Sequence, residues 1–131
     1  MKSYFKNYNV RYAYEQKELP NGKFDRIVIP QIDIIYFSEL VNEKIVAPAG
    51  FRSDGASVPR IFWNLFPPFH RYLLAAIVHD HLCVQGKSKT SKYSSKQVHK
   101  IFHEAMKVLK VPRRTRWPMY TAVKFFGPKW K

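Results

Sequence analysis

At 131 residues, 46% of them apolar, the chain can bury about two thirds of its unfolded surface in one domain, which excludes a disordered polymer. Its single cysteine, Cys83, excludes an internal disulfide framework, and no stretch approaches the ~20 apolar residues of a membrane span. The net charge of +14 is lopsided: residues 1–54 hold eight Lys/Arg against seven Asp/Glu, and residues 55–131 hold fifteen against two.

The first part, residues 1–50, reads as β. Val10 to Tyr14 alternates with period two, and Asn21-Gly22 is a turn dipeptide. Ile27-Val28-Ile29 stops at Pro30, which cannot donate to a ladder. Ile32 to Phe37 and Lys44 to Ala47 complete a small antiparallel sheet of three to five strands.

Residues 51–131 read as helical. Pro59 opens a short helix that Pro67-Pro68 stops. A longer helix follows from about Phe69 to Cys83, and its continuous run Leu73 to Val78 predicts burial on most sides. Gly86 and the polar stretch Lys87 to Ser94 predict a loop. Ser94 or Ser95 caps the next helix, where Val98, Ile101, Phe102, Ala105, Met106 and Leu109 recur on one face. Val111-Pro112 ends it. A last helix runs from Arg113 or Pro118 to Phe126 and is closed by Gly127 and Pro128. The expected architecture is one α+β domain: a small N-terminal antiparallel sheet, then three to four helices.

Two segments carry candidate chemistry: Phe51-Arg52-Ser53-Asp54-Gly55-Ala56-Ser57-Val58-Pro59-Arg60 and Val78-His79-Asp80-His81-Leu82. Asp54 is either the acceptor of an Asx-turn, with Ser57 as a helix cap, or a metal ligand or general base in a cleft. His79 and Asp80 lie late in a buried helix and point about 100° apart, so other elements must help if both are to face one ion. A buried His79 needs a hydrogen-bond partner, and Asp54 is a candidate. His99 on the next helix can approach the same place. Asp54, His79, Asp80 and His99 together supply N and O donors suited to Zn²⁺, Mn²⁺ or a non-haem iron. A metal there would acidify a bound water, while Ser57 and Arg60 orient an anionic substrate. Cys83 reads as packing rather than as a nucleophile, and His81 and His103 as outward-facing.

From Lys107 to Lys131 there are eight Lys/Arg and no acid, with Trp117, Tyr120, Phe125, Phe126 and Trp130 interleaved. Those aromatics either fill the core or stack on unpaired bases. Arg113, Arg114 and Arg116 are the densest cluster and the first candidates for anion contact. The charge favours a polyanionic partner: nucleic acid, a membrane surface or an acidic protein surface.

The two segments and the closing Met119-Tyr120-x-Ala122-Val123-x-x-Phe126-Gly127 resemble the domain-of-unknown-function 1353 family, from about Asn42 to Trp130. The resemblance implies a small protein of phage or prophage type. With the single Cys83 and no N-terminal apolar stretch long enough for a signal peptide, the expected place is the host cytoplasm or the phage particle. The family pattern has Asp where this chain has His99. Two functions follow as expectations. One is a metal-dependent hydrolase of an anionic polymer, nucleic acid or cell wall, with Asp54, His79, Asp80 and Ser57 as catalytic groups. The other is a non-enzymatic phage component, whether virion structural, nucleic-acid-binding or inhibitory to a host factor, with the Asp/His cluster as a structural lock.

Overall fold

The computed structural model describes residues 3–7, 10–18, 20, 24–53, 70–88, 92–126 and 129–130. Within them the chain is α+β. Five strands come first: β1 (Tyr4–Phe5), β2 (Tyr12–Glu18), β3 (Phe24–Pro30), β4 (Ile34–Ser38) and β5 (Glu43–Ala47). Three helices follow: α1 (His70–Lys87), α2 (Ser95–Val108) and α3 (Arg113–Phe126).

The strands sort into two antiparallel sheets, β1-β4-β5 and β2-β3, where the sequence suggested one. In β4 the period-two pattern holds: Ile34, Tyr36 and Ser38 are buried and alternate with half-buried Ile35 and Phe37. Tyr36 lies opposite Ile45, and Ile34 opposite Ala47, so the inner face is continuous across the ladder. β2 and β3 pair from Tyr12↔Pro30 to Glu18↔Phe24. Pro30 can end β3 because a two-stranded sheet consists of edges alone. The smaller sheet meets the segment after β5 at an isolated bridge, Val28↔Ser53.

α1 packs on β4 and β5, α2 on β1, β4 and α1, and α3 on α2. The run Leu73 to Val78 is buried throughout, as its unbroken hydropathy requires. Val98, Ile101, Phe102, Ala105 and Met106 of α2 are at most 1% exposed and join Tyr36, Phe5, Met119 and Val123 in one core. Each fully buried Leu, Ile, Phe or Met contributes roughly 1.5–3 kcal/mol of transfer free energy.

Ser94 caps α2 through a full capping box: its hydroxyl accepts from Gln97 N at 3.2 Å, and the Gln97 amide oxygen accepts from Ser94 N at 3.0 Å. At the other end Lys110 sits at φ 62°, Lys110 N donates to Lys107 O, and Val111 N donates to Met106 O, each at 3.0 Å. That is a Schellman turn with lysine in the left-handed position glycine usually takes.

α1 differs from expectation at its end. It runs on past Cys83 to Lys87, so Gly86 is helical rather than part of the loop. The reason is tertiary: a β-carbon on Gly86 would lie 2.1 Å from the Trp130 indole, so the bare backbone is where that ring rests. Trp130 Nε1 donates to Tyr93 O at 2.8 Å, and Trp130 O accepts from Ser95 Oγ at 2.9 Å. α3 begins at Arg113, the earlier of the two starts considered, and carries Pro118 within it. The short helix expected from Pro59 and the Asn21-Gly22 turn lie outside the described residues.

Candidate functional site

α1 and α2 lie side by side, and His79 of the first meets His99 of the second. Both rings are buried, His79 completely, and His79 Nε2 lies 2.9 Å from His99 Nδ1. Phe102 stacks on the His79 ring at 4.6 Å and 27°. Cys83, one turn further along α1, places Sγ 3.6 Å from His79 Nε2. A hydrogen bond between two imidazoles needs one N–H donor and one bare nitrogen, so the bonded pair cannot be doubly protonated. Burial, and secondarily the nearby His99, hold the His79 pKa well below the ordinary value.

Asp80, the next residue, follows the helical turn away from that pair. Its carboxylate accepts from the Ser53 hydroxyl, and the residue is 5% exposed. Ser53 is also bridged to β3 of the smaller sheet, exchanging backbone bonds with Val28 at 2.8 and 3.0 Å. α1 is thus tied to α2 by His79 and, through Ser53, to the smaller sheet by Asp80. The expected divergence of neighbouring helical residues separates the two candidate ligands.

His79 and His99 are therefore brought together, and Asp80 stands beside them facing another element. Asp54, Ser57 and Arg60 lie outside the described residues. Among the described residues no three His, Cys, Asp or Glu side chains form a group that could hold a metal ion.

Glu104 is a site residue that sequence reasoning missed. On the α2 face towards β4, it accepts from Tyr36 OH at 2.6 Å, Ser38 Oγ at 2.7 Å and Leu40 N at 2.9 Å. Its partners are 64 to 68 residues away, so no local pattern marks it. Ser53 was within the quoted motif, overshadowed by Asp54. His81 and His103 are half-buried rather than outward-facing: His81 meets the Phe51 ring edge-on at 5.1 Å, and burial lowers the pKa of each.

The arginine cluster is not uniform. Arg113 and Arg114 are exposed. Arg116 is half-buried, donating Nε to His103 Nε2 at 3.2 Å and Nη1 to Val111 O at 3.1 Å. The aromatics divide too: Trp117 is 46% and Phe125 59% exposed, while Tyr120 and Trp130 are half-buried and pack against the core. Among the described residues no helix is long and apolar enough to cross a membrane.

The chain is similar to an uncharacterized protein, y4jT, of Sinorhizobium fredii (strain NBRC 101917 / NGR234), with 39% identity over 85 residues. The match covers 63% of this chain and about a quarter, 24%, of that relative's length. No solved structure matches. The family described as a protein of unknown function, DUF1353, matches residues 29–123, which span β4, β5, α1, α2 and most of α3 together with Ser53, Asp80, His79 and His99; the chain belongs to that family.

Proposed function

We propose that this chain is a non-enzymatic nucleic-acid-binding component of phage type, with its buried His/Asp cluster acting as a lock that fixes α1 against its neighbours. One observation carries the reading: both carboxylates of the cationic part are spent internally. Asp80 accepts from Ser53, and Glu104 accepts from Tyr36 and Ser38 of β4 and from Leu40 just after it. Lys96, Lys100, Lys107, Lys110, Arg113 and Arg114 are exposed, and among the described residues none of them forms an ion pair. A surface so charged draws its counter-charge from outside, and a phosphate chain releases counterions when it supplies it.

The test is anisotropy of a labelled oligonucleotide titrated with protein across a salt series. Arg113→Glu with Arg114→Glu should weaken binding at least tenfold and flatten the slope of log affinity against log salt by about two. Arg116 is left intact because it holds His103. Wild-type affinity independent of salt would refute the proposal.

The metal-dependent hydrolase is the second reading, favoured by two buried imidazoles whose nitrogens meet at 2.9 Å and would spread to about 3.3 Å around a tetrahedral ion that replaced their shared proton. Asp54 and Ser57, which lie outside the described residues, are the further candidates of that reading. Metal analysis of the purified protein after mild dialysis separates the readings, since stoichiometric zinc, manganese or iron supports the hydrolase and its absence the lock.

A further inference from the structure

We infer that the nucleic acid recognised is single-stranded, and that an unpaired base stacks on Trp117. The inference rests on the nucleic-acid reading above and adds the form of the ligand. Trp117 is 46% exposed on a helix whose Met119 and Val123 are completely buried. Its ring has a built support. His103 lies 4.4 Å from it at 47°, and Tyr120 lies 5.8 Å away at 71°. His103 and Tyr120 are themselves 5.0 Å apart. His103 is pinned in turn by Arg116, and Arg116 by the carbonyl of Val111. The indole thus belongs to a braced shelf of three rings across α2 and α3, and a braced ring loses little freedom when a ligand covers it.

Charge decides the occupant. Arg113 stands one helical turn before Trp117 and Arg114 three residues before it, both exposed, and exposed Lys124 stands two turns beyond. Cation, aromatic and cation follow one another along one flank of α3, without an acid from Lys107 onwards. Phosphates on the cations with a base face on the indole satisfy that order. A base inside a duplex shows only its edges to the grooves, so it cannot cover the ring.

The experiment compares a labelled single-stranded oligonucleotide with its duplex, using the full chain at about 50 mM salt. Wild type should favour the single strand, and Trp117→Ala should cost roughly tenfold or more on the single strand alone. Trp117→Phe should recover most of that loss. Trp117→Leu, which keeps an apolar contact with His103 and Tyr120 but has no π face, should not. Thermal melts identify any variant that fails to fold, and the Phe–Leu difference then carries the comparison. Equal wild-type affinity for both forms, or equal affinity of the Leu and Phe variants, overturns the stacking and leaves the nucleic-acid reading standing. Binding to neither form overturns both.

Discussion

The Tyr36 hydroxyl donates to Glu104 across 2.6 Å, joining the central strand of the larger sheet to the middle of α2. Ser38 Oγ shares the same carboxylate oxygen, and Leu40 N takes the other. One side chain thus satisfies three donors, of which Tyr36 and Ser38 are fully buried.

Replacing Glu104 with Ala should therefore destabilise the fold by about 2–4 kcal/mol, because each buried donor left without an acceptor costs roughly 1–3 kcal/mol. Glu104→Gln keeps one acceptor oxygen and should cost less. Urea midpoints at constant m-value report both. A loss under about 0.5 kcal/mol for Ala would show that the carboxylate is solvated rather than structural.

Stability should fall on acidification below about pH 6.5. His79 has its folded pKa well below that value, through burial first and His99 second. The unfolded chain then takes up the proton the native state refuses. The sign follows: the contribution is full above the unfolded pKa and declines as pH drops from there towards the folded pKa. The decline is about 1.4 kcal/mol per pH unit for each such histidine. His81 and His103 are shifted the same way, so His79→Gln should reduce the slope of stability against pH between 6.5 and 5 without abolishing it.

Gly86→Ala tests the Trp130 seat. Helix propensity alone favours Ala by about 1 kcal/mol. The new β-carbon would collide with the indole at 2.1 Å, so the ring must leave its place over α1 and strain its bonds to Tyr93 and Ser95. The collision should win, giving a net loss of roughly 1–3 kcal/mol. In a Trp130→Ala background the same change should become neutral or stabilising. Additivity of the two changes would remove the proposed contact.

Lys110→Gly should go the other way. A non-glycine residue at φ 62° bears about 1 kcal/mol or more of strain, which glycine relieves, less the freedom glycine gains on unfolding. A rise in thermal midpoint with unchanged α2 content is the expected outcome.

What could be read from residues alone was what depends on near neighbours. The face Val98, Ile101, Phe102, Ala105 and Met106 was visible from its spacing, and Ser94 from its place before that face. The unbroken apolar run of α1 announced its burial. The partner of His79 was visible only as a possibility, since His99 lies 20 residues away and could be set beside it only by projecting a helix. Glu104 and Gly86 were illegible for one reason. A lone acid on a helix and a glycine after an apolar run read as solvent-facing and loop-forming, until β4 and Trp130 are put against them. β1, two residues long, is too short to show any period.

Ser53 gives the smaller sheet a fate of its own. β2 and β3 pair chiefly with each other, and the bridge between Val28 and Ser53, the Gly50 N to Pro30 O bond, the Arg52–Glu15 ion pair and the core contact of Val28 join them to the rest. Backbone amides along that hairpin should consequently exchange with deuterium through a partial opening, well before those of α1 and α2, which need the whole core to come apart. Such an opening would also withdraw the backbone support of the serine that holds Asp80. Ser53 thus joins a fast part of the molecule to a slow one, its backbone serving the hairpin and its hydroxyl α1. Ser53→Ala, which keeps the bridge and releases Asp80, should therefore speed exchange in α1 more than in the hairpin.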